Sequence, residues 1–243
     1  MTPRGAGIAR VVLFCIPFVL AAFFVTVKCL VPRSYERMIQ EDHLVEYAQS
    51  AIYFLASMIT ACSVKRFFGS GRRGAAVLYV LLAVGLMFVA CEEISWGQRL
   101  FNLGAPELFR RNNYQQELTI HNMAPVQGYL HWIYIAVGFY GSFLWLVVPH
   151  LRSQIPTSTV RLFVPDWYIS SYFIPVFAVY SCYEALFRVA VRCGLDSFRL
   201  GGFFVWRDQE PAELILALGF LLFALNAGVR QTTDQLIESV LPS

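Results

Sequence analysis

Long apolar stretches alternate along this chain with short polar and charged clusters. No Asp, Glu, Lys or Arg falls within Val11–Val27, Tyr47–Val64, Gly74–Cys91, Leu118–Leu151, Ile169–Tyr183 or Leu214–Val229. A bilayer core needs about 20 mainly apolar residues per helix and offers no partner to an open backbone, so each window predicts one spanning helix. The predicted helices lie near residues 8–30, 45–64, 75–97, 126–148, 167–190 and 211–229. The fourth window is longest because it includes the polar segment TIHNMAPVQG, which is assigned to a loop ahead of the helix. The expected fold class is all-α. It is a polytopic membrane helix bundle forming one domain over residues 1–243, with an interfacial segment between helices three and four.

Composition points the same way, with 57% hydrophobic and 14% charged residues and a mean hydropathy of +0.55, values foreign to a soluble domain. The first apolar run is too long for a cleaved signal peptide and no small-residue cleavage site follows, so it is read as a retained helix. A scattered net charge of +3 argues against nucleic acid as a partner. The expected partners are membrane lipids, together with a membrane-protein partner or a second copy of the chain. Cys15, Cys29, Cys62, Cys91, Cys182 and Cys193 lie in or beside apolar segments, where a thiol ordinarily acts as a small buried hydrophobe.

Charge then orients the bundle. The loop KRFFGSGRRG carries Lys65, Arg66, Arg72 and Arg73 without an acid, so it is expected on the cytoplasmic side of the plasma (inner) membrane, with both termini on the same side. Under that topology Asp166, Asp234 and Glu238 fall inside and the other 13 of 16 acids outside. Several outer acids sit at helix ends rather than in loops, including Glu46, Glu92, Glu93, Glu184 and Glu213. The 16 charge-free residues after Glu213 span roughly 24 Å, less than a core of about 30 Å, which sets Glu213 slightly within the slab.

Helical spacing indicates which way these groups point. Glu46, Gln49, Ser50, Tyr53, Ser57 and Thr60 make a polar stripe on the second helix, expected to face protein or water and not lipid. Glu92, Ser95, Trp96 and Arg99 are expected to share one face of the third helix with Glu93 and Gly97 beside it, and Glu92 to face inward and contact the Arg99 turn or an arginine of another helix. Glu184 and Arg188 are placed to pair, as are Glu117 and His121 if their segment is helical. The amide-rich stretch from Phe101 to Trp132 is expected at the outer interface as a short helix from Pro106 and a folded-back turn. That turn would deliver Asn113, Gln115, Glu117, His121 and Asn122 over the acidic helix ends.

Two motifs stand out: Glu92-Glu93-Ile94-Ser95-Trp96-Gly97-Gln98-Arg99, and Asn113, Gln115, Glu117, His121 and Asn122 in the pattern N-x-Q-x-E-x-x-x-H-N. In both, the chain resembles a family of uncharacterised bacterial multispanning membrane proteins, a resemblance that implies the fold and carries no activity. It is also faintly similar to alkaline ceramidase-like membrane hydrolases at Glu41-Asp42 and Ser95. The histidines of that family are missing, and DQEPAEL stands where its last histidine motif would be, so the activity is not carried over.

Carboxylates with an imidazole can bind a divalent metal, yet no Glu-x-x-His, His-Glu-x-x-His or CxxC spacing occurs, so no metal site is assigned and no cofactor is implied. Adjacent carboxylates at a partly dehydrated site can instead exchange protons. The expected catalytic residues are Glu92, Glu93 and His121. Those expected to bind substrate are Glu46, Ser95, Gln98, Arg99, Asn113, Gln115, Glu117, Asn122, Glu184, Arg188 and Glu213, with Arg99 or Arg188 holding a phosphate. Together they predict one outward-facing acidic pocket acting on or binding a lipid or lipid-linked substrate. The alternatives are a non-catalytic subunit of a membrane complex and an ion- or proton-coupled transporter.

Overall fold

The computed structural model describes residues 3–40, 43–98, 101–113, 115–151, 162–194 and 207–240. The helices are α1 (Pro3–Leu30), α2 (Pro32–Met38), α3 (Leu44–Gly69), α4 (Arg73–Glu93), α5 (Glu107–Asn112), α6 (Ala124–Leu151), α7 (Trp167–Ser170), α8 (Ile174–Cys193) and α9 (Glu210–Val240), with a 3₁₀ turn at Ser95–Gly97. Among the described residues the only β pairing is a lone bridge between Asn113 and Met123. Among the described residues six helices, α1, α3, α4, α6, α8 and α9, are long and apolar enough to cross a membrane. The chain is an all-α, multi-pass integral membrane protein.

Helix α3 lies between α4 and α9, because it carries the polar stripe that lipid cannot solvate. Gln49, Ser50, Tyr53, Ser57, Thr60 and Ser63 are all buried. Ser50 and Ser57 donate to the carbonyls of Ala90 and Ala83 on α4, both at 2.7 Å, and Thr60 and Ser63 donate to carbonyls of their own helix. Phe54, Leu55 and Met58, on the other side of α3, are exposed as a lipid-facing surface must be.

Small residues draw α6, α8 and α9 together. A Cβ on Gly138 would lie 2.8 Å from the backbone nitrogen of Phe177, and one on Gly141 only 2.1 Å from the Phe173 ring. Side-chain-free contact of this kind lets helices approach closely in lipid, where packing replaces the hydrophobic effect. The approach buries Tyr172, Phe173, Val176 and Tyr180 against Ile215 and Leu216 of α9. At the same end of the bundle as the start of α9, Asp208 pairs with Lys28 of α1 and accepts a hydrogen bond of 2.7 Å from the Tyr35 hydroxyl of α2.

Several expected boundaries shift. The third predicted helix stops at Glu93 instead of 97, and the fifth is broken, α7 ending at Ser170 and α8 starting at Ile174. Pro175 stands in the first turn of α8, where its missing N–H is harmless, whereas in a continuous helix it would remove a backbone bond. The last helix runs to Val240 beyond the predicted 229, since charge marks the limit of the apolar slab and not of the helix. The cysteines are also less buried than predicted. All six are free thiols, with Cys91 half-buried and the rest exposed.

Candidate functional site

Helix α4 ends because the backbone turns left-handed after it: φ is +48° at Ser95, +54° at Trp96 and +73° at Gly97. Glycine adopts this region freely, but serine and tryptophan are strained there by about 1–3 kcal/mol each. The strain is offset by hydrogen bonds. Trp96 Nε1 donates to Glu92 Oε1 at 2.6 Å, Ser95 Oγ donates to Glu117 Oε2 at 2.7 Å, and Gln98 Oε1 accepts the Leu118 amide at 2.6 Å. Ser95 and Trp96 are therefore placed by a turn and not by a shared helix face, a correction to the sequence expectation. Arg99 lies outside the described residues.

The two adjacent glutamates divide their tasks. Glu92, only 4% exposed, points inward, and its Oε2 accepts the amides of Ile120 at 2.7 Å and His121 at 2.9 Å and meets His121 Nδ1 at 3.1 Å. Its partners are Trp96, on the turn that leads to Arg99, together with His121 and the Ile120 and His121 amides. Because the segment before His121 runs in turns, with Gln116 at φ +59°, the predicted Glu117–His121 pairing does not form. Glu117 goes to Ser95 and His121 to Glu92. Asn113 and Asn122 shape the loop from within: Asn113 Nδ2 donates to the Thr119 carbonyl at 2.7 Å, and Asn122 donates to Gln115.

Glu93, one position on, faces a cavity of about 70 Å³ between the helix ends. Glu46 of α3 lines it with Glu92, Glu93 and Ser95, as do Gln115, Glu117, His121 and Asn122 from the loop. Gln127, Leu130, His131 and Tyr134 of α6, Tyr180 of α8, and Arg207, Gln209, Glu210 and Glu213 at the start of α9 complete it. Glu213 accepts the hydroxyl of Tyr180 and that of Tyr134 at 3.1 Å, from two rings stacked 4.5 Å apart. Glu210 Oε2 accepts the fully buried Gln49 amide at 3.2 Å.

Gln98, Asn113, Glu184 and Arg188, the other predicted residues among those described, sit around this cavity without lining it. Gln98 and Asn113 brace the loop. Glu184 meets His131 Nδ1 at 2.9 Å, one layer behind the wall, and the Arg188 guanidinium lies 5.3 Å over the Trp132 ring. The two therefore turn to separate partners instead of pairing. Residues that sequence reasoning missed are Gln127, Leu130, His131, Tyr134, Tyr180, Arg207, Gln209 and Glu210. Glu210 had a legible signal, since it lies one helical turn before Glu213. The tyrosines had none, standing in apolar helices like any core aromatic.

Among the described residues six glutamates and a single arginine line the cavity, and burial pushes the Arg207 guanidinium below its ordinary range, with the Glu210 carboxylate opposing that shift. Such a surface accepts hydrogen bonds and favours positive charge. Two carboxylates facing one small space can also act as proton donor and acceptor to a group held between them. Among the described residues no three His, Cys, Asp or Glu side chains gather in metal-ligand fashion. No protein family, curated protein or solved structure matches the chain.

Proposed function

We propose that the protein binds, at the acidic cavity, the polar headgroup of a membrane lipid or lipid-linked substrate, and that this headgroup carries an ammonium. One observation carries the reading: Glu46, Glu93, Glu210 and Glu213, from three different spanning helices, line a single space at the helix ends. Two like unit charges at about 4 Å oppose each other by about 4 kcal/mol at the effective dielectric of a protein surface. A phosphate against an ionised carboxylate of this floor is therefore disfavoured, whereas an ammonium is attracted, a gain partly offset by the loss of its water. In this reading Glu93 receives the cationic group or its proton, Tyr134 and Tyr180 hold Glu213 in register, and Glu92 with His121 positions the loop. With Lys65, Arg66, Arg72 and Arg73 in the cytoplasm, the cavity opens toward the outer leaflet of the inner membrane.

The α3 hydroxyls beyond the cavity favour this reading over transport. Ser50, Ser57, Thr60 and Ser63 each donate to a backbone carbonyl, which leaves helix contact where a conducting path would need water. Thermal stability of the detergent-purified protein with added phosphatidylethanolamine or phosphatidylglycerol tests the proposal. The amine lipid should raise Tm by roughly 5 °C or more at about 100 times its Kd, and Glu93→Gln should remove most of the gain. Equal shifts from both lipids, or a gain that survives Glu93→Gln, would overturn it.

A further inference from the structure

We infer that residues 115–123 form a lid over the cavity, fastened from outside the loop by the end of α4, and that its release admits the ligand. What is admitted rests on the headgroup reading above, whereas the motion itself does not. A space of about 70 Å³ is far below the about 300–1,000 Å³ of a pocket that encloses a drug-sized molecule. It takes a few waters or one small polar group, so a headgroup on its glycerol backbone needs the wall to move.

The wall contributed by the loop is the part able to move. No described residue from 101 to 123 belongs to an apolar core cluster or packs against one, whereas α3, α4, α6, α8 and α9 all do. The buried residues of the loop are instead polar: Glu117, Thr119 and Asn122, with Asn113 at its base. Opening it breaks hydrogen bonds that water replaces at small net cost, and leaves the apolar packing of the bundle intact, which is how a locally low-stability unit opens. Two sets of its bonds differ in reach. Asn113 to Thr119 and Asn122 to Gln115 lie within the loop and keep its shape. Glu92 to the Ile120 and His121 amides, Ser95 to Glu117, and Gln98 to the Leu118 amide join it to the end of α4. Losing the second set alone swings the loop as a unit, with Glu92 as its chief fastener.

The experiment uses the full-length protein in lipid-free detergent, its native cysteines replaced and one introduced as Gln127→Cys, on the cavity wall outside the loop. A small cationic methanethiosulfonate reports the rate of access. Adding Glu92→Ala should raise that rate at least about tenfold. If Glu92→Ala does not yield a folded, monodisperse protein, the combined Ser95→Ala and Gln98→Ala change releases the other fasteners and should raise the rate in the same direction. Hydrogen exchange supplies an independent reading, since the Ile120 and His121 amides should lose protection well before those of α4 and α9. Parent labelling at the rate of a free thiol, or rates within twofold of the parent in folded variants, overturns the lid. Because no lipid is present, a failure of phosphatidylethanolamine to bind leaves the lid standing, and a failed lid leaves the headgroup reading to its own test.

Discussion

Replacing Gly141 with alanine probes the packing on which the cavity wall depends. The added Cβ would lie 2.1 Å, 2.2 Å and 2.6 Å from three atoms of the Phe173 ring, where ordinary contact begins near 3.4 Å. The helix or the ring must yield by more than an ångström. Phe173 is 3% exposed and held edge-on by Phe220 at 5.5 Å, so the ring has nowhere to turn and the strain falls on the α6–α8 spacing. Overpacking of this kind costs about 1–3 kcal/mol, or roughly 2–12 °C of Tm for a chain of this size. Tyr134 of α6 and Tyr180 of α8 both reach Glu213 across that spacing, so wider helices should weaken the amine-lipid gain as well. The assay is thermal unfolding in detergent, with Gly128→Ala as control. Gly128 is helical and nothing lies within 4 Å of its would-be Cβ, so alanine there should stabilise by about 0.5–1 kcal/mol. A Gly141→Ala protein as stable as Gly128→Ala would refute the packing account.

In a double-mutant cycle, Glu93→Gln and Glu213→Gln should be non-additive by about 0.5–3 kcal/mol, because neutralising one carboxylate relieves the other; strict additivity by thermal unfolding would show that they do not share a space. Tyr180→Phe leaves the 7%-exposed Glu213 with only the Tyr134 hydroxyl of its two tyrosine donors, and should lower stability by about 1–3 kcal/mol. In a cysteine-free background, an impermeant thiol reagent applied from outside should label Asn112→Cys and spare Ser70→Cys, and the reverse pattern would invert the topology. Burial raises the Tyr35 phenol above its ordinary value, and its hydrogen bond to Asp208 and that carboxylate's charge act the same way. The neutral phenol is thus the form that folding favours, so its contribution is whole below about pH 10 and falls as pH climbs toward the raised folded value. The Tm advantage of wild type over Tyr35→Phe should accordingly shrink between about pH 9 and pH 11, and a constant advantage would count against the Asp208 tether.

The six spans were legible in the sequence because the constraint that makes them is local. A helix in lipid must satisfy its own backbone and present apolar side chains, and both demands are written in about 20 consecutive residues. The burial of the α3 stripe was legible for the same reason, period and polarity being enough to say that Ser50 and Ser57 could not face lipid. Helix continuity was not. An apolar window reads alike whether α7 and α8 are one helix or two, and the left-handed turn at Ser95 and Trp96 is imposed on residues that do not prefer it, with Ser95 held by Glu117, 22 positions away.

The same limit applies to the site. Charge-free windows were enough to bring Glu46, Glu92, Glu93 and Glu213 to similar depth, but depth along a helix says nothing about rotation and neighbours. Only the tertiary structure decided that Glu92 is taken up by the loop while Glu93 is left facing the cavity, and that Glu184 is a layer behind it on His131. It alone turned Tyr134 and Tyr180 from core aromatics into the donors that hold Glu213. Sequence sets which side chains must avoid lipid, a property of each segment by itself. Which of them meet depends on how closely α6, α8 and α9 approach at Gly138, Gly141 and Gly219, a property that no single segment possesses.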